Sequence, residues 1–113
     1  MNVLLIAPHT DLLYADAEVQ RILRSGLTVT PVLGDVTQTT LLDEIARNGH
    51  DTLWLCTHGT PEGVMLSDGI LSAAALAQAV RSSNISLVVL NTCDSINTAQ
   101  HLQNETRAEI IAT

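Results

Sequence analysis

Two apolar runs that each stop at a reactive side chain dominate the hydrophobic pattern of this sequence. In DTLWLCTHG, Asp51 to Gly59, the run Leu53-Trp54-Leu55-Cys56 leads directly to the pair His58-Gly59. In SLVVLNTC, Ser86 to Cys93, the run Leu87-Val88-Val89-Leu90 leads to Asn91-Thr92-Cys93. Short unbroken runs of this kind fit central parallel strands covered on both faces. Val3 to Ala7 is a third such run, followed by the turn Pro8-His9-Thr10-Asp11.

The remaining pattern alternates helix with strand. Ala15 to Arg24 predicts a helix with Ala17, Val19, Ile22 and Leu23 on one face, and Gly26 stops it. Leu27 to Leu33 alternates Val29, Pro31 and Leu33 against Thr28, Thr30 and Val32, and its internal proline makes it an edge strand. Gly34-Asp35 is a turn. Thr40 to Asn48 predicts a helix with Leu41, Leu42 and Ile45 inward and Gly49 as its stop. After His58-Gly59, short apolar runs flank Asp68-Gly69, a strong two-residue hairpin signal. A small hairpin is therefore expected beyond the His58 strand. Ser72 is the expected N-cap of an Ala-rich helix from Ala73 to Arg81. A helix over roughly Ser95 to Glu105 and a last apolar run, Ala108 to Ala112, complete the chain. Strands and helices alternating at this spacing specify βαβ units and a parallel sheet.

Composition narrows the functional classes. The 113 residues suffice for one domain with a single core, and neither repeats, linkers nor low-complexity stretches divide it. A hydrophobic content of 46% with 15% charged residues is globular. With one Trp, one Tyr and no Phe, the core must be aliphatic. The net charge is −7 and lysine is absent, which argues against nucleic acid and against anionic membranes as partners. Val3 to Ala7 is too short for a signal-peptide core and has no basic residue before it, and nothing approaches a membrane span of ~20 apolar residues. Two cysteines without a signal peptide point to a reducing, cytoplasmic setting.

In a parallel sheet the polar tips of both runs fall at the carboxyl ends of the strands, where α/β proteins place their chemistry. There His58 and Cys93 would form a thiolate–imidazole pair. A free thiol has a pKa of about 8.5 and is mostly protonated at neutral pH; a neighbouring imidazole lowers that value or takes the proton during attack. Gly59 lets a carbonyl oxygen approach its backbone N–H, which with the N–H of Cys93 would make an oxyanion hole. The plainer readings are an ordinary loop histidine and a small buried cysteine. Cys56, inside an apolar run, is expected to be packing. Zinc held by Cys56, His58 and Cys93 would lack the paired C-x₂₋₄-C spacing of structural sites, so no metal is expected. His9, His50 and His101 are read as solvated. The turn at Ala7 to Asp11 has no glycine for a phosphate loop, and a receiver-type phosphoacceptor would need an acidic cluster and usually a lysine.

Taken together, LCTHG at Leu55–Gly59, LSDGILSAAALA at Leu66–Ala77 and VVLNTCDS at Val88–Ser95 resemble the caspase-like cysteine peptidases, most of all their prokaryotic CHAT-domain branch. The resemblance covers about two-thirds of the chain, the first two βα units agreeing only in layout. It implies that His58 is the general acid/base and Cys93 the nucleophile of a cofactor-free peptide-bond hydrolase, with Gly59 and Cys93 supplying the oxyanion N–H groups. It also implies that Asn91, two positions before the cysteine, lines the pocket for the residue preceding the scissile bond, and that His9 and Asp11 contribute to that pocket. Asp11 reads equally as the N-cap of the first helix. Ile96 departs from the pattern, standing where many relatives carry a glycine after the cysteine, acid and serine.

The expected architecture is a three-layer α/β sandwich with a mainly parallel, caspase-like sheet in one domain over residues 1–113. The chain closes on an apolar strand with no helix to cover its far side. A truncated or processed chain is therefore expected, one that lacks C-terminal elements of the fold and works with a missing segment or regulatory partner. The expected function is a bacterial cysteine endopeptidase of regulation or defence, acting on proteins or peptides. A catalytically silent relative serving as an interaction or scaffold module is the first alternative. A flavodoxin-like binder of a small nucleotide is the second.

Overall fold

A computed structural model describes residues 1–8, 13–92 and 94–112. Its main sheet has five parallel strands: β1 (Asn2–Pro8), β2 (Thr28–Gly34), β3 (Thr52–Cys56), β7 (Leu87–Asn91) and β8 (Glu109–Ala112), in the order β2-β1-β3-β7-β8. A second, antiparallel sheet of β4 (Gly59–Thr60), β5 (Gly63–Leu66) and β6 (Gly69–Ser72) projects from the end of β3. Among the described residues four helices connect these elements: α1 (Leu13–Leu23), α2 (Gln38–Ala46), α3 (Ala73–Arg81) and α4 (Ile96–Glu105). None of the described helices is long and apolar enough to cross a membrane.

The strands divide their side chains between two layers, as period-two alternation requires. Leu4, Ile6, Leu53, Leu55, Val88 and Leu90 face α2, α3, α4 and the inner residues of the hairpin. Leu5, Ala7 and Cys56 face Val19 and Ile22 of α1, with Trp54 partly buried beside them. Helices on both faces of a parallel sheet make the three-layer α/β sandwich. In α1 only Val19 and Ile22 of the expected face are buried; Ala17 is exposed and Leu23 is 38% exposed.

Local chemistry sets the boundaries. Pro31 lies on β2, which among the described residues pairs only with β1 and is an edge strand, so the missing N–H costs no second ladder. Gly26 ends α1 with φ +82°. At the end of α2 it is Asn48, with φ 58°, and not Gly49 that takes the left-handed conformation; asparagine adopts it more readily than most residues, and here its Oδ1 accepts from the Asn84 N–H at 3.2 Å. The hairpin loop also lies one residue earlier than the Asp68-Gly69 signal implies. Leu66 pairs with Gly69, so Ser67 and Asp68 are the loop residues and Gly69 opens β6 with φ +132°. Contacts to the start of α2 fix that choice: Val36 N–H donates to Ser67 Oγ at 2.8 Å, Ser67 N–H donates to the Val36 carbonyl at 2.8 Å, and Gln38 N–H donates to Asp68 Oδ1 at 3.0 Å.

Ser72 caps α3 as expected, its hydroxyl accepting from Ala75 N–H at 3.1 Å. Losing that acceptor strands a helix N-terminal N–H. Ser72→Ala should therefore cost about 1 kcal/mol in a denaturant titration, and an unchanged midpoint would mean that the cap contributes nothing.

Candidate functional site at the carboxyl edge of the sheet

Parallel pairing brings the carboxyl ends of β1, β3 and β7 to one edge. β1 connects outward to β2 and the chain then returns to β3 on its other side, so the strand order reverses between β1 and β3. Such a reversal opens a crevice at the strand ends. Cys56 and Asn91 are register partners at the ends of β3 and β7. His58 and Cys93 each follow one member of that pair by two positions in the sequence.

His58 is half-buried, as are Gly59 and Asn91. His9, Asp11 and Cys93 lie outside the described residues. Past Cys93, Asp94 has φ 51°, a left-handed conformation uncommon outside glycine and concentrated at sharp turns. Ser95 and the first turn of α4 follow, and Ile96 is 71% exposed. A cleft of about 590 Å³ lies against this turn, lined by Pro61, Thr92, Asp94, Ser95, Asn97 and Ala112, together with Ile96. Asn97 Nδ2 donates to the Pro61 carbonyl at 3.4 Å and ties α4 to the hairpin across the cleft.

The hairpin also fixes the backbone around His58. Met65 N–H donates to the His58 carbonyl at 2.9 Å, and Thr57 Oγ1 donates to the Met65 carbonyl at 2.6 Å. Antiparallel ladders alternate hydrogen-bonded and non-hydrogen-bonded pairs. With residues 58 and 65 bonded, Gly59 and Val64 form the non-bonded pair, and the Gly59 N–H points away from β5, off the open edge of the small sheet.

Cys56 is 1% exposed and faces α1. Burial pushes its thiol up to about 11, with the Glu18 carboxylate adding to the shift and a hydrogen bond with the Asn91 side chain opposing it. The Cys56–Asn91 hydrogen bond has no sequence signal, because register alone sets the two residues side by side. The folded thiol holds its proton more tightly than the unfolded one. Its stabilising contribution is therefore complete below pH 9.0 and lost as pH rises toward 11. Native Cys56 should resist iodoacetamide between pH 7 and 9, read by mass spectrometry; complete labelling at pH 8 without unfolding would contradict its packing role.

The other histidines divide. His101 on α4 is exposed, as expected. His50 is not solvated: its side chain is only 10% exposed, and Nε2 lies 4.0 Å from Glu44 Oε2. Its position just after the α2 stop resembled a surface turn, but the chain folds the ring back onto that helix. Among the described residues no group of His, Cys, Asp or Glu side chains is arranged to hold a metal ion.

No curated protein matches this sequence. The family model of the CHAT domain matches residues 11–110. With that match spanning most of the sequence, over a five-stranded parallel sheet flanked by helices, the chain belongs to the CHAT-domain family of caspase-like cysteine peptidases.

Proposed function

We propose that the protein is a cysteine endopeptidase in which His58 and Cys93 form the catalytic dyad. The pairing of Cys56 with Asn91 carries this reading: it levels the ends of two adjacent parallel strands, each two residues short of a dyad member. In the proposed reaction His58 takes the Cys93 thiol proton, and the thiolate attacks the scissile carbonyl carbon to form a C–S bond. The carbonyl oxygen becomes an oxyanion held by the N–H groups of Gly59 and Cys93. His58 then gives its proton to the leaving nitrogen and the C–N bond breaks. Water attacks the thioester as His58 takes a proton, the C–S bond breaks, and the thiol is restored with that proton.

The outward direction of the Gly59 N–H supports the oxyanion role. The cleft beside residues 92 and 94–97 supports room for an extended peptide. Asn91, held by Cys56, with His9 and Asp11 beyond β1, would line the pocket for the residue before the scissile bond; Asp11 would favour a basic residue there. A buried free thiol at Cys56 suits a reducing cytoplasm, and regulation or defence in bacteria is the setting that the family relationship suggests. The test is digestion of a peptide library by the wild-type protein and by Cys93→Ala. Cleavage that disappears with the thiol supports a peptidase. Equal patterns from both proteins, or no cleavage by either, would favour a scaffold or interaction module.

A further inference from the structure

The hairpin register carries His58 onto an exposed apolar shelf. Val64 pairs with Leu71, and both are buried in the core. The next pair, Met65 and Ile70, is 40% and 42% exposed. Continuing the pairing of Gly59 with Val64 by one step places His58 opposite Met65, where the 2.9 Å bond from Met65 N–H to the His58 carbonyl closes the pair. Directly opposed residues share a face of a sheet. His58, Met65 and Ile70 therefore form one row on the face that the buried pair does not occupy. The fold gains little from two large apolar side chains left adjacent in water, since Val64, Leu66 and Leu71 already fill the inner face.

Resting on the peptidase reading above, we infer that Met65 and Ile70 are specificity-determining residues that hold an apolar substrate side chain on the C-terminal side of the scissile bond. The side follows from the proton path. His58 protonates the leaving nitrogen, so the leaving half of the substrate passes His58 and meets the row that continues from it across β5 and β6. The acyl half stays on the nucleophile, and the cleft lined by Thr92, Asp94 and Ala112 is available to it.

Library cleavage by the wild-type protein, read by mass spectrometry, should show leucine, isoleucine, methionine or phenylalanine enriched about tenfold over serine at one of the first positions after the cleaved bond. That is the low end of side-chain discrimination by an apolar surface. The ratio should fall to near one in Met65→Ser/Ile70→Ser. It should persist in Leu27→Ser, which removes a leucine of similar exposure, 40%, elsewhere on the molecule. A readout without turnover uses the Cys93→Ala protein. Its affinity for leucine and serine versions of the library peptides should differ about tenfold, and the difference should vanish when Met65→Ser/Ile70→Ser is added. Cleavage that shows no apolar preference, or a preference that survives the double substitution, would overturn the shelf while leaving the peptidase intact. Shelf-dependent, leucine-selective binding without Cys93-dependent cleavage would keep the shelf and overturn hydrolysis. Absence of both would overturn both.

Discussion

Gly63→Ala is expected to destabilise the fold by about 3 kcal/mol or more, the upper range for overpacking, and to lower the melting midpoint by roughly 10–20 °C. A Cβ at position 63 would sit 1.9 Å from the Leu71 carbonyl oxygen and 2.9 Å from both the Leu71 carbonyl carbon and Ser72 Cα. All three are backbone atoms, so no side-chain rotation relieves the clash. Gly63 pairs with Ser72, and separating that pair displaces β5 and β6. Val64, Leu66 and Leu71 would leave the core with them, and the Ser72 cap on α3 would shift. The damage should also reach His58, whose carbonyl is bonded to Met65 two residues further on. Thermal unfolding followed by circular dichroism checks this. A midpoint within a degree or two of wild type would show that the two strands can separate at little cost.

His58→Ala should lower kcat for Cys93-dependent cleavage by about 10²- to 10⁴-fold, the usual range for one positioned proton-transfer group, with KM changed little. His58→Gln should be impaired as severely. Glutamine keeps a hydrogen-bonding side chain of similar reach but cannot carry a proton between thiol and leaving nitrogen. A kcat within tenfold of wild type in either variant would remove His58 from the proposed mechanism. A proportional rise in KM with kcat intact would instead make it a substrate-binding residue.

Much of this molecule was legible from local pattern. The runs at Val3, Leu53 and Leu87 are strands because unbroken apolar stretches must be covered on both faces, and helices lie on both. Pro31 announced an edge strand, and Ser72 a helix cap, because each signal acts through the residue's own backbone or its immediate neighbours. Errors arose where distant segments decide. The hairpin loop sits at Ser67-Asp68 because Val36 and Gln38, some thirty residues earlier, hold it there. His50 is covered because its ring returns to Glu44. The need for glycine at 63 has no sequence signature at all, since it comes from the carbonyl of Leu71 on the neighbouring strand.

The candidate site follows the same division. His58 and Gly59 were found because they interrupt apolar runs, and the structure places them at the open edge of the small sheet beside the end of β3. The Cys56–Asn91 hydrogen bond and the row of His58, Met65 and Ile70 depend on strand register. Neither could be read without knowing which strands are neighbours.

The pairing of Cys93 with His58 is tested most directly by the pH dependence of alkylation at each cysteine, resolved by mass spectrometry in the wild-type protein and in His58→Ala. Cys56 supplies an internal control, its buried thiol being held up at about 11. Cys93 is expected to react well below pH 8 in the wild-type protein while Cys56 stays unmodified, and His58→Ala should return Cys93 to the behaviour of a thiol with a pKa of about 8.5. A Cys93 that is inert, or that titrates identically with and without His58, would contradict the dyad.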